Sequence, residues 1–153
     1  MKNYKIRSYD LNKHWRQIEE YMFNNIEDIK YTAVTWFIEK KSANYYNPRF
    51  VALNWDKVVW FLYWSFNYSS STISNLCIFK KHRKKWLWKQ LLEEFTRYVR
   101  INNQKLITLT CFEENKSACD FYKSQWYNEC WYNNYCSLIE GKWYKWIVFF
   151  KEI

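Results

Sequence analysis

The alternation of apolar and polar residues along the chain spells out a mixed α/β protein. Tyr4 to Tyr9 set Ile6 between charged neighbours and predict a first strand. Asp10 then stands as a helix N-cap before Leu11 to Asn24, where Trp15, Ile18, Tyr21 and Met22 recur at helical spacing. A second helical stretch is expected from about Ile29 to Lys40, and a loop from Asn44 to Arg49 around Asn47-Pro48. Phe50-Val51-Ala52-Leu53 and Lys57 to Phe66 read as strands joined at Asn54-Trp55-Asp56-Lys57. Ser69 to Thr72 closes that hairpin, and a strand from Ile73 to Phe79 follows. Beyond a basic stretch, Leu87, Leu91, Phe95, Tyr98 and Val99 trace one helical face to about Ile101, and Asn102-Asn103 ends it. Lys105 to Cys111 reads as a buried strand and Asn115 to Ser124 as a short helix. Tyr127 to Cys136 and Tyr144 to Lys151 form a last pair of strands around a polar turn that holds Gly141.

The order β-α-α-β-β-β-α-β-α-β-β implies an α/β (α+β) fold: a central mixed β-sheet of about seven strands flanked by about four helices. The 153 residues suit a single domain, 1–153, with a sizeable core. No apolar run is long enough to span a membrane, so no membrane partner is expected. The first residues lack the apolar region of a signal peptide. Cys77, Cys111, Cys119, Cys130 and Cys136 form no C-x-x-C pair. Reduced thiols and a cytoplasmic location are the plain expectation. With only His14 and His82, a metal site built on imidazole is not expected.

Charge and composition then change the picture. A net charge of +9 suits phosphates of any kind, though a solvated basic surface explains it equally well. The chain has one glycine and eleven tryptophans. An ordinary chain of this length carries roughly eleven glycines. Most of these tryptophans therefore stand where glycine is expected. Asn54-Trp55 shows why: a two-residue hairpin turn wants positive φ, and a bulky residue resists it.

The chemistry concentrates at Arg83-Lys84-Lys85-Trp86-Leu87-Trp88-Lys89, between a strand and a helix. That order presents backbone N–H groups at a helix N-terminus, where an anion can bind. The spacing resembles the pyrophosphate-binding turn of the GCN5-related N-acetyltransferase (GNAT) family, Arg/Gln-x-x-Gly-x-Gly/Ala. Arg83 is in place, and Trp86 and Trp88 stand on the two glycine positions. A second stretch, Asn115-Lys116-Ser117-Ala118-Cys119-Asp120-Phe121-Tyr122-Lys123-Ser124-Gln125-Trp126-Tyr127, resembles the family's Asn-x-x-Ala-x-x-Phe-Tyr-x-x-x-Gly-Phe/Tyr, with Trp126 on the glycine. Val58-Val59-Trp60-Phe61 resembles the family's hydrophobic-Val-Gly-hydrophobic strand in the same way. The two main motifs occur in the family's order, and with the Ile6-Arg7 strand the resemblance spans the chain.

The resemblance implies transfer of the acetyl group of acetyl-CoA, a co-substrate, to an amine. It implies that the backbone of Lys84, Lys85, Trp86, Leu87, Trp88 and Lys89, with Arg83, holds the pyrophosphate. It implies that Leu76, Cys77 and Ile78 pair with the pantetheine arm, the Ile78 N–H facing the thioester oxygen. Asn115 is the matching side-chain contact to CoA, and Tyr122 the general acid for the departing thiolate. Without the motif, Tyr122 reads as a core tyrosine. The general base is open. Thr110 stands where some relatives carry the Glu that serves as base; Glu113 and Glu114 follow nearby, and a water relay, Glu39 or Asp56 are the choices left.

The acceptor is an amine-bearing small molecule or a protein or peptide, bound around Ile26 to Asn47 and Asn133 to Tyr144 if the family pattern holds. Tyr45, Tyr46 and Tyr135 are lining candidates there. A homodimer is left open. Two other classes stay in view. One is a basic, aromatic nucleic-acid-binding module, against which the basic residues are spread along the chain except at Lys80 to Lys85. The other is a catalytically inactive GNAT-fold protein. Trp55, Trp60, Trp64, Trp86, Trp88, Trp126 and Trp131 fall where turn physics or the family calls for glycine, with Trp143 and Trp146 as additions. One explanation covers the set: the codon UGA, which some bacterial lineages read as glycine, has been translated as tryptophan. The plain alternative, an aromatic-rich chain, does not explain the single glycine.

Overall fold

A computed structural model describes residues 4–25, 50–67, 70–83, 85–137 and 142–153. The expected helix at Ile29 to Lys40, the Asn47-Pro48 loop and Gly141 lie outside the described residues. The chain forms two compact units, Met1–Trp64 with Ser74–Leu92, and Ser65–Ile73 with Glu93–Ile153.

The first unit carries β1 (Tyr4–Ser8), α1 (Leu11–Asn24), β2 (Phe50–Asn54), most of β3 (Lys57–Asn67), the second half of β4 (Ser70–Ile78), a 3-10 turn (Lys80–His82) and the start of α2 (Lys85–Ile101). Its strands run in the order β1-β2-β3-β4. β1 and β2 pair antiparallel from Tyr4↔Asn54 to Ser8↔Phe50. β2 and β3 are antiparallel too, with a bulge where Ala52↔Trp60 gives way to Leu53↔Val58. Helix α1 starts where the sequence says, because the Asp10 carboxylate accepts the Asn12 N–H at 3.0 Å. Its apolar stripe, Ile18 and Met22, is buried against Val51, Val58, Phe61 and Cys77.

The second unit holds the first half of β4, the rest of α2, β5 (Leu106–Phe112), α3 (Lys116–Ser124), β6 (Asn128–Ser137) and β7 (Lys142–Glu152). Its strands run β4-β5-β7-β6. β4 and β5 are parallel over Ser70↔Leu106 to Ile73↔Leu109. β7 then pairs antiparallel with both β5 and β6, and β6 bulges between Glu129 and Trp131. Phe95, Val99, Ile107, Leu109 and Phe149 are fully buried. Among the described pairings, the parallel β4–β5 ladder beside antiparallel ones makes the sheet mixed, as expected from the element order. Two strand boundaries differ by more than a residue: Ser70 to Thr72 belong to β4 rather than to a turn, and Lys142 and Trp143 already belong to β7. Thr72 is held in the ladder with its hydroxyl satisfied, Thr72 Oγ1 and Thr108 Oγ1 sharing a hydrogen bond of 2.8 Å, whereas the buried Ser71 Oγ has no hydrogen-bond partner.

Candidate active site

In the first unit, β4 ends in the buried side chains of Leu76, Cys77 and Ile78. The Phe79 N–H still donates to the Val59 carbonyl at 3.0 Å. The chain then tightens into the 3-10 turn, where the His82 N–H reaches the Phe79 carbonyl at 2.7 Å. Arg83 has extended backbone, and its Nε donates to the Ile78 carbonyl at 3.0 Å. The arginine of the motif thus folds back onto the strand end and fixes where the helix begins.

Lys85 opens α2, so Lys85, Trp86 and Leu87 are the described residues whose N–H groups have no partner one turn back in the helix. The first turn contains no carboxylate to compete with an anion. Lys89 is the fifth residue, and its N–H lies inside the ladder of α2. Leu87 is buried and Trp88 half-buried, while Trp86 is 41% exposed. The Trp86 ring lies against Tyr4, with ring centres 5.1 Å apart. The Tyr4 hydroxyl is 3.2 Å from His82 Nδ1, and the Tyr21 hydroxyl accepts the Lys80 N–H at 2.8 Å. Tyr21 also stacks on Phe79, centres 3.6 Å apart. Two tyrosines from other elements therefore pin the basic turn. Periodicity placed Tyr21 on the apolar stripe of α1 but says nothing about where a hydroxyl points, and Tyr4 was read only as strand. A groove of about 670 Å³ beside them is lined by Gln17, Tyr21, Asn25, Asp56 and Phe79, among others.

In the second unit, Asn115 is the N-cap of α3, its side-chain oxygen accepting the Ala118 N–H at 3.4 Å. Tyr122 projects from the same helix and is buried, its ring 5.7 Å from that of Tyr127 and 5.9 Å from that of Phe149. Burial above all, then Cys111, Tyr127 and Cys119, hold the phenol pKa well above its ordinary value. Burial likewise pushes the thiols of Cys111 and Cys119 up. Tyr122 is thus a protonated phenol throughout the physiological range. Thr110, where some relatives carry the base, is exposed and offers no carboxylate; among the base candidates Glu114 is exposed and Glu113 is paired with Lys145 at 3.1 Å. Asp56 is exposed in the β2–β3 turn of the first unit, and Glu39 lies outside the described residues. Of the acceptor candidates, Tyr45 and Tyr46 are outside them as well. A groove of about 480 Å³ between α3 and the β6–β7 pair is lined by Lys116, Asp120, Lys123, Glu129 and Lys145, among others. No group of three His, Cys, Asp or Glu able to hold a metal occurs among the described residues. No helix there is long and apolar enough to cross a membrane.

No protein-family model and no curated protein matches the chain. Solved structures do. Arabidopsis thaliana NAA60 in complex with a bisubstrate analogue superposes with a TM-score of 0.75 at 15% identity, covering 99% of this chain and 98% of that one. The ribosomal-protein-S18-alanine N-acetyltransferase from Escherichia coli gives 0.72 at 16% identity, over 99% and 94% of the two chains. A probable acetyltransferase from Staphylococcus epidermidis gives 0.71 at 17% identity, over 98% and 99%. An acetyltransferase of the GNAT family from Streptococcus pneumoniae matches at 0.72. The chain has the GNAT fold. In that fold the two motif stretches occupy the segment after β4 and the helix after β5.

Proposed function

We propose that the protein is an acetyl-CoA-dependent N-acetyltransferase, its residues 1–153 forming one catalytic domain. The observation that carries this reading is the start of α2. On a GNAT fold, a strand leads through a wholly basic segment into a helix whose first turn has no carboxylate. A pyrophosphate is the ligand such a mouth suits, by aligned N–H groups, helix dipole and surrounding cations together. In this reading Arg83, Lys84, Lys85, Trp86, Leu87, Trp88 and Lys89 frame the pyrophosphate. Leu76, Cys77 and Ile78 follow the stretch of β4 that pairs with β5 and offer backbone to the pantetheine arm. Asn115 contacts CoA from the α3 cap.

The amine nitrogen attacks the thioester carbonyl and forms the C–N bond, the CoA sulfur leaves with the C–S bonding pair, and the proton the nitrogen loses passes to solvent water, which returns one to Tyr122. Tyr122 gives that sulfur its proton in this reading, which rests on its place in the second motif, since burial holds its pKa up and makes it a weaker acid than an ordinary phenol. The acceptor is an amine on a small molecule or on a protein or peptide. The Escherichia coli enzyme is named for an alanine of a ribosomal protein, which favours testing peptides first. Trp86 and Trp88 stand on the glycine positions of the turn, and bulk there is expected to weaken cofactor binding in the chain as written. Release of free thiol from acetyl-CoA across a panel of amines tests the reading. Turnover that depends on an amine supports it. No turnover and no acetyl-CoA binding, in either the literal chain or Trp86→Gly/Trp88→Gly, would overturn it.

A further inference from the structure

Three described residues other than glycine have positive φ: Trp55 at 59°, Asn103 at 56° and Trp126 at 66°. Asparagine tolerates that region because its short polar side chain bonds locally. Tryptophan has no such excuse.

The surroundings of each residue name the amino acid that belongs there. Asn54 pairs with Lys57, so Trp55 and Asp56 are a two-residue hairpin loop. Positive φ at the first loop residue alone is the pattern of a type II′ turn, whose first position normally takes glycine. At the end of α3 the Trp126 N–H donates to the Lys123 carbonyl at 3.0 Å, and the Tyr127 N–H to the Tyr122 carbonyl at 3.1 Å. Those two bonds define a Schellman motif with Trp126 at the residue just past the cap, the place where glycine is strongly enriched. Helix α2 closes identically: the Asn103 N–H meets the Arg100 carbonyl and the Gln104 N–H meets that of Val99, with Asn103 in the same position. Nature's usual substitute for glycine serves one helix, and an indole serves the other.

Packing offers no compensation. Trp55 and Trp126 are each 82% exposed, so neither ring repays its backbone with buried area. A second cost of the same sign appears at Trp60, which is fully buried with no hydrogen-bond partner for its Nε1–H.

We infer that positions 55 and 126 are glycine in the functional protein, and that one codon, UGA, accounts for the excess of tryptophan over glycine. The backbone evidence is independent of any cofactor. Its extension to Trp86 and Trp88 rests on the proposed function, because only there does bulk matter to a bound pyrophosphate.

The test has two arms. The coding DNA and peptide masses of the protein from its own source are read at both positions. UGA codons and peptides lighter by an indolylmethyl group are expected, and UGG codons with intact tryptophan would overturn the inference. In parallel, thermal unfolding compares the literal chain with Trp55→Gly, Trp126→Gly and, inside α1, the control Trp15→Gly. The first two should each raise Tm by about 2–4 °C, while the control lowers it. A fall in Tm for the first two, matching the control, would contradict the backbone argument whatever the protein does with acetyl-CoA.

Discussion

Tyr122 sits where two demands meet. It closes part of the second unit's core, and it is the residue proposed to protonate the leaving thiolate. Replacement by Phe keeps the ring and removes only the hydroxyl. Tyr122→Phe should therefore cut kcat by about 10²-fold or more with little change in acetyl-CoA affinity; an unchanged kcat would reduce Tyr122 to packing. Because the phenol is held protonated, the activity of the parent should show no alkaline loss near pH 10, where an ordinary tyrosine ionises. Glycine at 55 or 126 should stabilise by about 1 kcal/mol, the cost of a left-handed residue with a side chain. The same logic marks what sequence could show. Asn54-Trp55 is a suspect turn on inspection, and the motif flags Trp126. The Schellman bonds that give Trp126 its meaning emerge only from coordinates.

Among the elements, α1 offers the clearest pH test. The Asp10 N–H donates to Nδ1 of buried His14 at 2.9 Å, a bond the protonated ring cannot accept. Burial, the largest influence, lowers the His14 pKa against a smaller opposing pull from Asp10. The unfolded chain, with its histidine near 6.5, then binds more protons than the native state just below that pH. This stabilisation is complete above pH 6.5 and is lost as pH falls from there through the folded value. His14→Gln, which offers an acceptor but does not titrate, should flatten the dependence of Tm on pH between 5 and 7, on the order of one His titration. At the other end of the same element set, α2 shows how far pattern reading reaches. Leu87, Leu91, Phe95 and Val99 are buried as the helical spacing requires. Its first residue could not be read, because a turn and a first helical turn share the same basic residues. The 3-10 turn and the Arg83-to-Ile78 bond decide it.

For the whole molecule, most of the element order was legible. Each apolar stripe marks its element type, and among the described strands Ser70 to Thr72 and Lys142–Trp143, expected in turns, lie in β4 and β7. Thr72 escaped because pairing with Thr108 satisfies in a sheet what its composition suggests for a turn. The candidate site was legible as motifs but not as contacts: periodicity puts Tyr21 on a helix stripe and Tyr4 in a strand, but does not show that their hydroxyls hold the basic turn. The net charge of +9 adds a prediction at this scale. Association with a multiply charged cofactor should weaken as salt rises, since the Debye length shrinks from about 10 Å at 0.1 M to about 3 Å at 1 M. Affinity independent of salt would argue against the basic turn as its seat. The most direct measurement is calorimetric titration of acetyl-CoA into the literal chain and into Trp86→Gly/Trp88→Gly. The glycine form should bind one equivalent and the literal chain at least ten-fold more weakly, about 1.4 kcal/mol. Binding by neither form would contradict the acetyltransferase reading itself.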